Sequence, residues 1–528
     1  MKSLMKKVFA AAAAIATVFG LAATTVATAN AADNATLTVS TTDAKFAGKT
    51  VNAYKMFSAT VSGDGKAVSY TLTDEWKPFF KNSVGLTGVT DENVNDKAND
   101  YVSKLKDSTL VAFATKASNW AQTKANNITA DATATVSADA SNGKYTATFT
   151  GLGYGYYVVA VPGATLANAK SQYATLVSVH STKVDADIKG DLPTVDKKVQ
   201  VDGTGKDATD AKIGDTLTFT LTSTIPDMSA YDTYTFNFKD TLSKGLTFGQ
   251  VKSVKVENVT LTENTDYTVT TPTASNNNTL TVAMKDFKTK QQANAGKKIT
   301  VTYTATLNEN AVVGGAGNVN SAKIQYSNNP STNGTGESEP SKVRVFTYGF
   351  TVDKYTGDQY TDAATRLAGA EFTLAHKDDS AISFVQVSAG SATANAVYRV
   401  AKAGETGTTT ITTPANGKVV FEGLKNGEYT LTETKAPAGY NKLASAIGVK
   451  VNGQNNGTDT TNATVTITYN NDNGNDYNQT ASNGVIPVQN KSGAILPGTG
   501  GMGTIAFTVI GVLVIALGVA WTLKRKNA

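Results

Sequence analysis

Short runs in which polar and apolar residues alternate recur through most of the chain, and this pattern limits the fold more than any other feature. Residues 216–221, for example, read Thr-Leu-Thr-Phe-Thr-Leu. Successive side chains of a strand point to opposite faces, so a period of two with β-branched residues predicts half-buried antiparallel strands. Turn residues separate the runs at short intervals, as in β-sandwich domains. The sequence therefore predicts a mainly β chain.

One early stretch departs from this pattern. Between Glu92 and Asn126 the apolar residues follow helical spacing, and the predicted inner face comprises Tyr101, Leu105, Leu110, Phe113 and Trp120. We expect a small helical insertion in the first domain.

The chain has 528 residues, no cysteine and only two histidines, His180 and His376. Its length allows about three domains. Without cysteine there are no disulfides, zinc-thiolate sites or cysteine nucleophiles, and two histidines argue against a multi-histidine metal site. The sequence predicts no metal, no cofactor and no enzyme, although paired carboxylates for glycoside hydrolysis remain an alternative.

Both termini carry targeting patterns. Three lysines among the first seven residues, an apolar run at 8–23 and Ala-Asn-Ala at 29–31 predict a signal peptide over residues 1–31. Near the other end, a hydrophobic run from Thr504 to Leu523 precedes three basic residues. Twenty residues at about 1.5 Å each match a bilayer core about 30 Å thick, which predicts a transmembrane helix with a cytoplasmic tail.

Directly before this run stands the pentapeptide Leu496, Pro497, Gly498, Thr499 and Gly500. It resembles the LPxTG cell-wall sorting signal of Gram-positive surface proteins. The resemblance implies that a sortase cleaves between Thr499 and Gly500 and passes Thr499 to an amine. A permanent single-pass membrane protein is the simpler alternative.

The charge balance differs between the ends and the middle of the chain. The whole sequence has 48 basic and 43 acidic side chains and a pI near 8.8. Residues 32–499 keep 42 basic and all 43 acidic side chains, because the two ends hold six bases and no acid. The basic excess therefore belongs to the targeting segments, and we predict no nucleic-acid partner.

Composition and turns suggest five segments. They are a signal peptide at 1–31, an N-terminal domain at 32–189, a middle domain at 190–344, a C-terminal domain at 345–491 and a sorting signal at 492–528.

In the C-terminal domain, three predicted strands each place a polar residue on the same face as apolar ones: Lys354, Glu433 and Asn490. Each would cost several kcal/mol if buried unpaired. Burial favours a neutral amine and a protonated acid, so Lys354 could attack the Asn490 carboxamide with Glu433 as proton shuttle, releasing ammonia. The resulting amide would act as a disulfide does.

Residues 429–440, Tyr-Thr-Leu-Thr-Glu-Thr-Lys-Ala-Pro-Ala-Gly-Tyr, resemble the "E-box" of CnaB-type domains in Gram-positive pilins. Residues 367–374 resemble the next strand of the same family. The resemblance implies tandem immunoglobulin-like sandwiches of CnaA and CnaB type and an isopeptide bond between Lys354 and Asn490.

The middle domain repeats the pattern with a different acid. Alternation favours Lys197 over Lys198 as the inward lysine and puts Asp240 on an apolar face. The run that begins at Asp240 resembles the middle domain of major pilins, where an Asp is catalytic. Asn320 and Asn328 share one face of the strand, so the alternation of side chains does not show which of them Lys197 would attack. We prefer Asn328 because it lies at the strand end. The first predicted strand of the N-terminal domain has no lysine, so we expect no crosslink there.

Pilins place the lysine that joins subunits just before the middle domain. Lys189, eight residues before Lys197, has that position, although Asp187 and Ile188 replace the family's Tyr-Pro pair. Lys183 is the second candidate.

The resemblance implies a major pilin, the shaft subunit of a pilus that a class C sortase polymerises and that is anchored to the cell wall. Its implied partners are that sortase, a housekeeping sortase, identical subunits, minor pilins and peptidoglycan, with the host receptor unspecified. Its implied location is the wall surface, after transient membrane anchoring. The alternative is a monomeric wall-anchored adhesin with the same domains as a stalk.

Overall fold

The computed structural model describes most of the chain between residues 34 and 522. The described ranges are 34–63, 67–164, 174–188, 190–330, 334–358, 362–377, 379–454, 463–470, 476–493, 510–519 and 521–522. The signal peptide, Lys189 and the sorting pentapeptide all lie outside them.

The N-terminal domain combines two sheets with a helical layer. Its strands β1 to β8 are Ala35–Thr41, Thr50–Val61, Val68–Leu72, Ala132–Thr135, Tyr145–Leu152, Gly155–Ala160, Ala174–Val179 and Lys183–Asp187. Its helices α1 to α3 are Lys77–Asn82, Val94–Ser103 and Asp107–Gln122. One sheet has the order β5-β1-β8, and the other has the order β3-β2-β6-β7 with β4 beside β2.

The predicted helical insertion is confirmed, and α1 adds a short helix ahead of it. A second hydrophobic core, separate from the main one, forms between the helices and the larger sheet, with Trp76, Phe79, Phe80 and Phe113 buried. Of the predicted inner face, Tyr101, Leu105 and Trp120 pack on this core and Leu110 is half-buried.

The middle domain is a sandwich of a six-stranded and a seven-stranded sheet. Its strands β9 to β21 are Asp196–Val201, Thr204–Lys206, Ala208–Asp210, Thr216–Thr224, Phe236–Leu242, Leu246–Val256, Val259–Thr260, Tyr267–Thr270, Thr279–Met284, Lys298–Leu307, Asn318–Ser327, Thr335–Glu337 and Ser341–Phe346. Helix α4 is Phe287–Gln291. The sheet orders are β10-β9-β12-β18-β14-β15 and β11-β21-β19-β13-β17-β16, with β20 beside β19. Strand β21 runs two residues beyond the boundary predicted at 344, because it pairs with β11 and β19.

The C-terminal domain is a second sandwich, with sheets of five and six strands. Its strands β22 to β32 are Tyr348–Tyr355, Glu371–His376, Phe384–Ser388, Ala396–Val400, Ile411–Thr412, Lys418–Leu424, Gly427–Lys435, Ile447–Gln454, Thr464–Asn470, Gln479–Thr480 and Val485–Gln489. The sheet orders are β24-β25-β27-β22-β32 and β26-β23-β28-β29-β30-β31. The first strand of the domain, β22, pairs in parallel with its last, β32.

Short 3-10 helices occur in the connections of all three domains. They are Ala44–Phe46, Asp74–Trp76, Lys124–Asn126, Ala274–Asn276, Gln292–Asn294, Ala363–Thr365 and Ser482–Gly484.

Direct hydrogen bonds join the middle and C-terminal domains. The backbone N–H of Asn426 donates to the Asp210 carboxylate at 2.7 Å, and its side-chain amide donates to the same group at 3.1 Å. The backbone N–H of Ile213 donates to the carbonyl of Gly423 at 3.0 Å. The two sandwiches are therefore in direct contact at these residues.

The predicted transmembrane run is described only in part. Residues 510–519 and 521–522 are helical. Among the described residues, no helix has the length and apolar character needed to cross a membrane.

Candidate functional site

Three polar side chains meet inside the C-terminal domain. Lys354 lies on β22, Glu433 on β28 and Asn490 one residue after β32, and their exposed fractions are 0%, 2% and 1%. The parallel register of β22 and β32 brings Lys354 opposite Val488, whose carbonyl accepts a hydrogen bond from the lysine Nζ at 3.1 Å. Lys354 Nζ lies 3.6 Å from Glu433 Oε1.

The glutamate also contacts the asparagine. Asn490 Nδ2 donates to Glu433 Oε2 at 3.0 Å and to the carbonyl of Asn441 at 2.7 Å. The backbone N–H of Leu443 donates to Glu433 Oε2 at 2.8 Å. Glu433 therefore lies between the amine and the carboxamide.

Two buried oxygens of this cluster, Glu433 Oε1 and Asn490 Oδ1, have no hydrogen-bond partner within the described part of the chain. Leaving such an atom unsatisfied costs about 1–3 kcal/mol. Burial also lowers the pKa of Lys354 from 10.5 to about 8, although the charge of Glu433 acts in the opposite direction. Burial thus makes the amine of Lys354 easier to deprotonate and leaves the carboxamide oxygen of Asn490 without a hydrogen-bond partner in the described structure.

The middle domain holds a related cluster of four side chains. Lys197 on β9, Asp240 on β13, Tyr303 on β18 and Asn320 on β19 are all 0% exposed. Lys197 Nζ donates to Asp240 Oδ2 and, at 2.8 Å, to Tyr303 Oη. Burial lowers the pKa of Lys197 from 10.5 to about 8 against the opposing effect of Asp240.

Tyr303 links this cluster, and the sequence analysis missed it. Its hydroxyl donates to Asp240 Oδ2 at 2.6 Å and accepts from Asn320 Nδ2 at 2.6 Å. Its ring stacks on Phe219, with centroids 5.3 Å apart. The sequence does contain a pattern that could have identified it, because alternation along β18 puts this hydroxyl on the same buried face as Val301 and Ala305.

The structure places Asn320 in the buried cluster with Lys197, Asp240 and Tyr303, whereas Asn328, the preferred acceptor, lies outside it. Asn328 is half-buried after the end of β19, and its backbone N–H donates to the carbonyl of Gly334. It lies eight residues beyond Asn320, or about 26 Å along an extended strand. Strand β19 continues past the level of Asp240, which pairs with Ala322, so a position at the strand end is remote from the lysine.

Lys183, the second candidate for joining subunits, is exposed at the start of β8. Strand β8 pairs in parallel with β1. Lys183 therefore lies on the surface of the N-terminal domain, apart from both buried clusters.

Together, the fold and these clusters define a class of protein, in which consecutive β-sandwich domains each contain a buried lysine, acid and asparagine.

Two family models match the chain. Residues 213–330 match the Gram-positive pilin backbone subunit 2, Cna-B-like domain, and residues 358–466 match the SpaA prealbumin-like fold domain. The chain thus contains a domain of the Gram-positive pilin backbone type followed by a prealbumin-like domain, and the predicted resemblance to backbone pilins is confirmed.

The chain is also similar to the trypsin-resistant surface T6 protein of Streptococcus pyogenes serotype M6. The identity is 26% over 279 residues, which is 48% of this chain and 44% of the relative. The aligned region therefore spans less than half of that protein.

Similar solved structures include three pilins. The T6 backbone pilin of S. pyogenes is 18% identical with a TM-score of 0.47, covering 87% of this chain and 99% of that one. The major pilin SpaD of Corynebacterium diphtheriae is 20% identical with a TM-score of 0.41, covering 88% and 98%. The major pilin BcpA of Bacillus cereus is 21% identical with a TM-score of 0.39, covering 67% and 89%.

Proposed function

We propose that this protein is the structural shaft subunit of a sortase-assembled pilus on the Gram-positive cell wall, and not an enzyme acting on other molecules. The observation that supports it most directly is the pair of buried lysine–acid–asparagine clusters in consecutive domains. Both clusters lie between the predicted acceptor, Lys189, and the sorting motif that ends at Gly500. Crosslinks at both places would stabilise the part of each subunit that carries tension along a fibre.

Each cluster would form one amide without a cofactor. In the C-terminal domain, neutral Lys354 attacks the Asn490 carboxamide carbon, and Glu433, which lies between the two nitrogens, carries a proton from the attacking nitrogen to the leaving one. The nitrogen of Asn490 leaves as ammonia, and the proton lost by the lysine nitrogen balances the one gained by the leaving group. The middle domain would join Lys197 to Asn320 by the same overall reaction.

Subunits would be joined by a different reaction. After secretion, a class C sortase cleaves between Thr499 and Gly500, holds Thr499 as a thioester and transfers it to the Lys189 amine of the next subunit. A housekeeping sortase would then attach the fibre to peptidoglycan. Membrane anchoring by the C-terminal segment would be transient, since sortase cleavage removes it.

The test is the size of the protein in cell-wall extracts boiled in SDS. We expect a ladder of covalent multimers in the parent strain, collapse of the ladder in Lys189→Ala, and an unchanged ladder in the matched variant Lys183→Ala. Collapse only in Lys183→Ala would move the junction to that residue. A single wall-anchored band in the parent strain would contradict polymerisation and support the monomeric adhesin instead.

A further inference from the structure

The two clusters differ in how the acid reaches the asparagine. In the C-terminal domain, Glu433 Oε2 contacts Asn490 Nδ2 directly at 3.0 Å. Asp240 is one methylene shorter than a glutamate, and in the described structure the carboxamide nitrogen of Asn320 donates to Tyr303 Oη. Tyr303 in turn contacts Asp240 Oδ2 at 2.6 Å. The tyrosine hydroxyl thus bridges the gap that the shorter acid leaves.

We propose that Tyr303 is a catalytic residue of the middle-domain crosslink, which relays a proton from Asp240 to the departing nitrogen of Asn320. This inference rests on the proposed amide between Lys197 and Asn320. Tyr303 Oη lies 2.6 Å from the leaving nitrogen and 2.8 Å from the attacking one, so it touches both reacting groups.

The relay balances in protons and electrons. Neutral Lys197 Nζ forms a bond to the Asn320 Cγ, and the carbonyl electron pair moves to Oδ1. Asp240 takes a proton from the former lysine nitrogen and passes one to Tyr303, while Tyr303 gives its own proton to Nδ2. The bond from Cγ to Nδ2 breaks, the carbonyl re-forms and ammonia leaves. Tyr303 and Asp240 end as they began.

The surroundings of Tyr303 fit this role. Strand β18 lies between β12 and β14, so the ring is held in the centre of its sheet. Phe219 stacks on the ring at an interplanar angle of 18°, and Lys197 Nζ lies 5.1 Å from both ring centroids. Burial raises the pKa of Tyr303 well above its ordinary value, which keeps the hydroxyl protonated and able to donate.

The direct test is Tyr303→Phe, which keeps the ring and removes the hydroxyl. The full chain is made by cell-free synthesis, because an amide formed before purification would survive denaturant, and intact mass with peptide mapping follows the loss of one ammonia per crosslink over time after synthesis. We expect the middle crosslink to slow by about 100-fold, a typical contribution of a proton-transfer group. The C-terminal crosslink should form at its parent rate and report that the variant chain has folded.

A rescue variant separates catalysis from packing. In Asp240→Glu/Tyr303→Phe the longer acid can contact the carboxamide directly, as Glu433 does, and we expect the crosslink to recover most of its rate. A parent-like rate in Tyr303→Phe alone would overturn the relay, as would failure of the rescue variant in a chain that is otherwise folded.

A measurement on the parent chain does not depend on any variant. A relay through Tyr303 moves more protons than direct transfer through Glu433, so heavy water should slow the middle crosslink more than the C-terminal one. Equal slowing would overturn the relay. Loss of only one ammonia, from the C-terminal domain, would instead refute the middle crosslink itself.

Discussion

Glu433→Gln tests whether the C-terminal crosslink stabilises its domain. The substitution keeps the size of the side chain but removes the acid that lies between the amine and the carboxamide. Burial should keep Lys354 neutral once its counter-charge is gone, so the variant does not add an unpaired buried charge. The amide should therefore fail to form in a domain that still folds.

The size of the effect follows from the loop that the amide closes. Lys354 and Asn490 are about 136 residues apart, and crosslinking a loop of that length is worth about 5 kcal/mol in the chain-entropy relation. A domain of this size changes its melting temperature by about 2–4 °C per kcal/mol, so we expect a fall of about 10–20 °C.

The assay has two parts. Intact mass should show that the variant retains one ammonia more than the parent, and calorimetry should show that one domain melts earlier. The matched control is Glu428→Gln on the same strand, whose carboxylate pairs with Lys377 and Lys450 at the surface. That control should change stability by no more than about 1 kcal/mol.

Two results would refute the reasoning. If the variant still loses both ammonia molecules, Glu433 does not promote the reaction. If the ammonia is retained but the melting temperature stays at the parent value, the loop-entropy argument fails.

Two further substitutions test the charge of the buried lysine and the packing of the domain. In Asn490→Ala, Lys354 remains a free amine, and burial lowers its pKa from 10.5 to about 8. Between those pH values the unfolded state binds more protons, so the free energy of unfolding should rise with pH by roughly 3 kcal/mol. Denaturant titrations should show this rise relative to Asn490→Ala/Lys354→Met, and parallel pH profiles would contradict it. Gly453→Ala should cost about 1–3 kcal/mol, because an added Cβ would lie 1.9 Å from the Tyr348 ring. Gly493→Ala, whose nearest atom is 3.6 Å away, is the control, and equal melting temperatures would refute the clash.

The sequence predicted the C-terminal cluster because side chains alternate strictly between the two faces of a strand, which constrains where each of them points. A shift of one residue moves every side chain to the other face, so a lysine, an acid and an asparagine on apolar stripes had to enter the core. The structure brings Lys354, Glu433 and Asn490 together as that argument expects.

The same alternation could not decide which of two asparagines on one face of a strand is the acceptor. Asn320 and Asn328 are an even number of positions apart, and only the register of β19 against β13 decides which one enters the buried cluster of Asp240 and Tyr303. Tyr303 escaped notice because a tyrosine on an apolar stripe is ordinarily a core residue, and the chain has 21 tyrosines. Helix α1 has only six residues, too few for its spacing to be recognised.

With both proposed amides formed, the covalent route through the two domains is much shorter than the chain itself. It passes from Lys197 to Asn320, follows the backbone to Lys354 and crosses to Asn490. The rest of each sandwich lies off this route, so tension cannot extend it without breaking an amide. Between the two amides only residues 321–353 remain extensible, and they include β21, which ends the middle domain, and most of β22, which begins the next. Tension would therefore act first on the junction between the two domains, where no amide bypasses the backbone.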